Sequence, residues 1–492
     1  MNITTVAGVA VSTGHWIGGK RVESKRTFQS CSPIDGKHLA DVSAGGAGEI
    51  DAAVAAARRA FPKWAALGAQ GREPILRRLA QTIRDRAKEI SAVETADNGS
   101  LLMGNIARVI PRAAHNIEFF ANRALELNHE KIDSPAVVNH IRFDPAGVAA
   151  LITPWNAPFM LTTWKVGPAL AAGNTVVVKP PEWAPLTCSL LGDLGAEAGL
   201  PPGVLNVVQG IGEEAGAALA AHPDIDRLSF TGSTDTAKLI GQSTARSLTP
   251  VSFELGGKSP YIVCEDADLD AAAETAAGQY INAGQVCLAG TRLLIDAKVA
   301  DVFGEKFHAA VGHMTVGDPR EQTTRIGPLI TPEHYQRVQG FVERALKAGV
   351  KPRWGGNRHS AGQLYFEPTL LDGVQQDMEI VQREVFGPVL TWQTFRDEDE
   401  AIGLANGTRY GLAAMIFSKN EERAMRIARQ VVGGSVWVNC FFVRELAAPF
   451  GGSRDSGIGR EGGNWSFDFF CDVKNIAVLK GSFGQETRRS SA

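Results

Sequence analysis

From about residue 147 the chain alternates short β-branched apolar runs with longer Ala/Leu-rich segments. GVAALI, TVVVK, VLNVV, RLSF and PVSFEL read as strands, and LTCSLLGDLGAEAG and EEAGAALAAH between them read as helices. That alternation is the signature of βαβ units around a parallel sheet. Ahead of it, EIDAAVAAARRAFPKWA and GREPILRRLAQTIRDRAKEISAVE, within residues 49–93, space their apolar residues at helical intervals with arginines on the other face. This predicts two amphipathic helices packed on the same domain. A second α/β region spans about 256–446, with SPYIVC, RLLID and GSVWVN as strands and DLDAAAETAAGQYINAG as a helix. VVNHIRFDPAG, near 137–147, and DVKNIAVLK, near 472–480, alternate polar and apolar positions and predict strands paired outside the main sheets. The final GQETRRSSA reads as a frayed tail.

Composition narrows the classes. A chain of 492 residues holds about two or three domains. With 44% hydrophobic and 21% charged residues it reads as an ordinary globular protein. A net charge of −3 gives no reason to expect nucleic acid or an anionic membrane as partner. The cysteines, at 31, 188, 264, 287, 440 and 471, form no CxxC pair, which suits a reducing compartment. Cys188 and Cys264 lie in apolar runs and read as core, and no metal is expected. No basic residue precedes the first apolar run, and Pro145, Pro154 and Pro158 interrupt the most hydrophobic region. A cytoplasmic location without a membrane anchor is therefore expected.

Three residues carry candidate chemistry. Cys287 stands in GQVCLAGTR between Gly284 and Gly290; taken alone, it fits packing as well as nucleophilic attack. Glu254 opens ELGGKSP at the end of a predicted strand, where α/β folds place their ligand crevices, although a surface salt bridge is the plainer alternative. A thiol with a free pKa of about 8.5 needs such a base near neutral pH. Asn156, in ITPWNAPFM, either donates to a developing oxyanion, or caps the following helix or shapes a turn. On the cofactor side, QGIGEEAG offers Gly210, Gly212 and Gly216, but its spacing departs from the dinucleotide fingerprint. In FTGSTDTAK, Gly232 and Ser233 precede a helix whose free N–H groups suit a pyrophosphate, or simply need a cap. Lys179 and Glu182, in VVVKPPEW, end another strand or belong to a solvated loop.

PWNAPF, VKPPEWAP, FTGST, ELGGKSP, GQVC, EVFGPV and PFGGSRDSGIGREGG follow one another between HWIGGK near residue 15 and DVKNIAVLK near 480. In that order and spacing the chain resembles the NAD(P)-dependent aldehyde dehydrogenase superfamily. The resemblance implies an α/β fold with a Rossmann-like cofactor domain (1–132 and 148–255), an α/β catalytic domain (256–446) and a small β extension for oligomerisation (133–147 and 470–485). It implies that Cys287 attacks the aldehyde, that Asn156 and the Cys287 backbone N–H hold the oxyanion, and that Glu254 activates the water that hydrolyses the thioester. NAD would lie against Ile152, Trp155, Lys179, Glu182, Gly212, Gly216, Phe230, Gly232, Ser233, Leu255, Glu384 and Phe386. The Glu182 carboxylate would accept from ribose hydroxyls and repel a 2′-phosphate, favouring NAD over NADP. A homodimer or homotetramer acting on a small aldehyde is implied.

IPRAAHNIEFF around Arg112 and WVNCFFVREL around Arg444 resemble the subgroup acting on muconic-type semialdehydes. Two such arginines could grip a substrate carboxylate, with Phe450 lining the same pocket; each could instead serve a salt bridge. Members handling a further carboxylate often carry another arginine where this chain has Ala447 and Ala448. Phe441 and Phe442 would also suit an aromatic aldehyde of the benzaldehyde or salicylaldehyde type. The CoA-acylating branch typically lacks the residue present here as Glu254, and inert homologues tend to lose the nucleophile.

Overall fold

The computed structural model describes residues 2–127 and 130–481; the tail 484–492 and residues 482–485 of the expected β extension lie outside the described residues. The apolar runs after residue 147 become the strands Val148–Ile152, Thr175–Lys179, Leu205–Val207, Arg227–Gly232 and Val251–Leu255. All five run parallel, in the spatial order 251, 227, 148, 175, 205 by first residue. Their side chains are buried along almost the whole of each strand, which is why they read as continuous apolar runs. The chain steps outward from Val148–Ile152 to Leu205–Val207 and then returns to the other side. That reversal opens a crevice at the carboxyl ends of Val148–Ile152 and Arg227–Gly232. Antiparallel His15–Ile17 and Lys20–Val22 extend one edge, and Gly457–Ile458 closes the other.

A second sheet of seven strands contains Pro260–Val263, Arg292–Asp296 and Ser435–Val438, as the apolar runs predict. It is parallel apart from its edge strand Lys351–Trp354. The two outlying segments form Val137–Pro145 and Cys471–Leu479, paired antiparallel from Cys471↔Pro145 to Leu479↔Val137 in a separate three-stranded sheet with Lys131–Asp133. The architecture is α/β, two mainly parallel sheets with a small separate antiparallel sheet. No helix among the described residues is long and apolar enough to cross a membrane.

The second predicted amphipathic helix is two helices, Gly68–Asp85 and Ala87–Asn98, because Arg86 at φ −100°, ψ 15° leaves helical geometry. The second piece buries Glu94 and Asp97. Glu94 accepts from Thr187 Oγ1 (2.6 Å) and Phe159 N (3.4 Å), and Asp97 from Leu186 N and Ser30 Oγ (both 2.8 Å). These bonds pin the starts of Pro158–Ala172 and Leu186–Glu197, the helices that follow the first two central strands. The segment GQYINAG also departs from the expected helix: Ile281 is extended, and Asn282 and Ala283 are left-handed.

Candidate active site

Cys287 follows this irregular turn. A side chain at Gly284, φ +68°, would strike the Gly387 carbonyl, so the loop lies directly on the segment that begins with Glu384. From the other side the ELGGK loop closes in: a Cβ on Gly257 would stand 3.3 Å from the Cys287 carbonyl oxygen. Cys287 is half-buried. Burial first, then the Glu384 and Glu254 charges, push its thiol up to about 12, with Arg444 opposing.

Glu254 sits at the C-terminal end of Val251–Leu255, paired with Thr231 on one side and Gly457 on the other. It is buried, and neither carboxylate oxygen has a hydrogen-bond partner, so the surface salt-bridge alternative is ruled out. Burial, reinforced by Glu461 and opposed by Lys165, Arg444 and Arg460, holds its pKa well above the usual carboxylate range. Room for it comes from Gly451, φ +149°, where a Cβ would stand 2.7 Å from Oε1. Asn156 is not the cap of the next helix, a place taken by Ala157. Its Nδ2 donates to the Gln285 carbonyl (3.0 Å), and its own carbonyl accepts from Asn282 Nδ2 (3.2 Å). The amide is thereby tied to the cysteine loop, two residues before Cys287.

On the cofactor side Lys179 is buried and donates to Glu182 (2.8 Å), so this is no solvated loop. Burial would raise the Glu182 pKa, but the Lys179 charge and hydrogen bonds, with one from the Gly212 N–H, hold it below the usual range. Cβ atoms on Gly212 and Gly216 would stand 3.5 Å from Glu182 Oε1 and 3.4 Å from Lys179 Cδ. The loop behind is fixed by His15, whose Nδ1 accepts from Gln209 N (3.0 Å) while Nε2 pairs with Ser24 Oγ (2.8 Å), itself bonded to Glu49. Ile152 ends its strand in register with Lys179 and Phe230, and Leu255 pairs with Gly232. Phe230 packs perpendicular to Phe253 and lies where any side chain on Gly232 would go. Ser233 is the N-cap of Thr234–Thr244, its Oγ accepting from Thr236 N (3.1 Å).

Glu384 accepts from Gly257 N (3.1 Å), and its carboxylate fills the space a side chain on Gly256 would need. Burial lifts its pKa to about 7 against the Gly257 N–H, Arg337 and Lys258. Phe386, left-handed at φ +59°, meets Trp155 edge-on at 5.3 Å. Two half-buried carboxylates able to accept from ribose hydroxyls, with glycines leaving backbone room beside them, fit a dinucleotide.

The two arginines meet. Arg112 Nη1 and Nη2 both donate to the Arg444 carbonyl (3.3 Å each), and the Arg444 guanidinium lies 3.6 Å from the Phe450 ring centre and 4.9 Å from that of Trp164. Burial, then the Arg112 charge, bring the Arg444 pKa down to about 10. Neither arginine makes an ion pair among the described residues. Phe442 and Val443 beside them are exposed, as are Ala447 and Ala448.

Residues 20–476 match the model of the Aldehyde dehydrogenase family. The chain belongs to this family. A 2-aminomuconic semialdehyde dehydrogenase from Danio rerio is 40% identical over 474 residues, covering 94% of this chain and 97% of that protein. A mitochondrial benzaldehyde dehydrogenase from Antirrhinum majus is 41% identical over 470 residues, covering 94% and 88%. An indole-3-acetaldehyde dehydrogenase from P. syringae, solved with NAD+, superposes with a TM-score of 0.94 at 37% identity, covering 96% of this chain and 97% of that one. The enzyme is an NAD-dependent aldehyde dehydrogenase.

Two parts of this dehydrogenase escape sequence reasoning. Lys165 and Glu461 form a buried ion pair (2.7 Å), with Ser229 Oγ bonded to both and Trp164 Nε1 donating to the second Glu461 oxygen. A single lysine inside the apolar helix PFMLTTWKVGPALAA was the signal available. Trp183, His334 and Arg337 form the other part. Trp155 packs against Trp183 and His334, His334 Nε2 pairs with the Phe386 carbonyl (2.7 Å), and Arg337 donates to the carbonyls of Glu384 (2.7 Å) and Val385. His334 and Arg337, on the amphipathic helix Pro332–Lys347, read in sequence as an ordinary polar face.

Proposed function

We propose that this dehydrogenase oxidises a carboxylate-bearing, muconic-type semialdehyde. The observation that carries the reading is the meeting of Arg112 and Arg444, the guanidinium of the first on the backbone carbonyl of the second, with neither in an ion pair among the described residues. Two arginines without ion-pair partners in one partly buried region suit recognition of an anion. The 2-aminomuconic semialdehyde dehydrogenase relative acts on a compound of this type. The absence of a further arginine at Ala447 and Ala448 fits one recognised carboxylate better than two.

In this reading Cys287 Sγ attacks the aldehyde carbon, and Asn156 Nδ2 with the Cys287 backbone N–H holds the oxyanion. NAD, when bound, would supply the hydride acceptor. Glu254 then takes a proton from the water that cleaves the thioester; a raised pKa makes its carboxylate the stronger base, and its unpartnered oxygens leave it free to swing. Lys179, Glu182, Gly212 and Gly216 would hold the adenosine ribose, Gly232 and Ser233 the pyrophosphate, and Glu384 with Phe386 the nicotinamide ribose. Ile152, Trp155, Phe230 and Leu255 would line the same crevice, and Glu182 would favour NAD over NADP.

The domain assignment stands with this reading: residues 1–132 and 148–255 bind cofactor, 256–446 carry the thiol, and the sheet at 133–147 and from 470 joins subunits into a dimer or tetramer. Support for the last comes from the edge strand Cys471–Leu479, which exposes Val473, Ile476 and Val478. The free thiols fit a cytoplasmic setting. A second reading, an aromatic aldehyde substrate, draws on exposed Phe442, half-buried Phe441 and the benzaldehyde dehydrogenase relative. The experiment that decides is NADH formation with 2-hydroxymuconic semialdehyde and with benzaldehyde. Higher kcat/KM for the semialdehyde, lost in Arg444→Ala through KM alone, supports the carboxylate grip; preference for benzaldehyde overturns it.

A further inference from the structure

The loop that leads to Cys287 is tied to the turn after Val148–Ile152 by side-chain amides. Asn156 Nδ2 commits one hydrogen to the Gln285 carbonyl (3.0 Å) and makes no second bond among the described residues, so its other hydrogen is available. The Cys287 N–H, two residues further on, likewise donates to nothing among the described residues. Asn282 braces the link between these two donors. Its Nδ2 donates to the Asn156 backbone carbonyl (3.2 Å) and to the Gln285 carbonyl (3.4 Å), one on each side of the Asn156–Gln285 bond. Both partners are acceptors, which fixes the orientation of the Asn282 amide with its nitrogen towards them. Its own carbonyl accepts from Gln285 N and from Gln285 Nε2 (3.0 Å each), while Gln285 Oε1 accepts from Ile330 N (3.0 Å) and holds the loop to the segment beyond Pro328. Asn282 reaches all of these partners from a left-handed backbone, φ 56° and ψ 33°, which asparagine adopts more readily than most residues.

We propose that Asn282 is a positioning residue of the oxyanion site. By holding the Asn156 backbone and the Gln285 carbonyl with one amide, it sets the spacing and angle at which Asn156 Nδ2 and the Cys287 N–H converge. Two donors stabilise one developing oxyanion only when both reach it at about 2.7–3.1 Å, so a shift of about 1 Å in either forfeits much of its effect. This rests on Asn156 as an oxyanion donor, and it names the residue that aims that donor.

The test is a double-mutant cycle in the whole enzyme, combining Asn156→Ala with Asn282→Gly and with Asn282→Asp. Glycine keeps the left-handed turn and removes the amide; aspartate keeps the size but sets an acceptor against two carbonyls. NADH formation from benzaldehyde and from 2-hydroxymuconic semialdehyde gives kcat/KM, and NAD affinity checks the fold. Alkylation of Cys287 by iodoacetamide, which develops no oxyanion, is followed alongside. Asn156→Ala should lose about 10²-fold in kcat/KM. Asn282→Gly should lose about tenfold and Asn282→Asp at least as much, with alkylation and NAD affinity within about twofold of wild type. In the Asn156→Ala background neither substitution should cost more than about twofold further, since no side-chain donor is left to aim. Equal losses in both backgrounds would assign Asn282 to the loop as a whole and overturn the proposal. So would wild-type kcat/KM in both Asn282 variants, or alkylation that falls in parallel with oxidation. Wild-type kcat/KM in Asn156→Ala is a separate result, which removes the oxyanion role of Asn156 and the proposal with it.

Discussion

Two buried glutamates are treated in opposite ways. Glu461 is buried with a lysine, a hydroxyl and an indole N–H on its carboxylate. Glu254, equally buried, has no donor among the described residues. The same contrast sets Lys179–Glu182 and His15–Ser24–Glu49 on the cofactor side, joined by hydrogen bonds, against Glu254, which has no hydrogen-bond partner among the described residues. An unpaired buried polar group is costly, and it persists where a reacting partner will supply the missing interaction. Partnered groups fix geometry, and unpartnered ones are available for chemistry.

The contrast can be broken at its strongest point. Cys287→Ala should lower NADH formation on the order of 10⁴-fold while leaving NAD binding and thermal stability near wild type, because no bond depends on the thiol. Glu254→Gln should give one burst of NADH per site and then stall at the thioester, again without loss of Tm. The partnered side should behave in reverse. Lys165→Met strands the Glu461 carboxylate and should cost about 3–5 kcal/mol, read by denaturant unfolding; an unchanged midpoint would remove the distinction between the two glutamates.

The pH dependence sharpens it further. Burial lowers the His15 pKa from 6.5 to about 4, opposed by Glu49 and helped by Arg21. The unfolded state therefore binds the proton more readily than the folded state. Stability from this site is fully present above pH 6.5 and is lost as pH falls through about 4, by about 3 kcal/mol in all. A His15→Asn variant should flatten that part of a Tm-against-pH curve. The smallest effect is expected at Glu182→Gln, which should raise kcat/KM for NADP relative to NAD about tenfold by removing one repulsive charge; an unchanged ratio would mean that Glu182 does not face the 2′ position.

Much of the parallel sheet was legible because strands buried on both faces write uninterrupted Val, Ile and Leu runs, as in TVVVK. Cys287, Glu254 and Asn156 were legible as a set, since each ends or follows such a strand or a glycine-rich turn. The N-terminal hairpins Ile3–Val6 with Val9–Ser12 and Thr27–Cys31 with His38–Ser43 were not, being short and partly exposed. Nor was the Lys165–Glu461 pair: its partners stand 296 positions apart, beyond any local pattern. Arg86 ends a helix inside a run whose amphipathic spacing continues on both sides, so periodicity alone joins the two pieces.

That separation of 296 positions also has a bearing on the birth of the molecule. At ribosomal rates of about 5–20 residues per second, roughly 15 to 60 s pass between the emergence of Lys165 and that of its counterion. During that interval Lys165 has Ser229 Oγ but not its counterion, and Gly457–Ile458 has not yet covered the outer strand. A ribosome that stops short of Glu461 releases a chain with an intact apolar pattern and no means of neutralising its own centre, a natural client for chaperones and proteases.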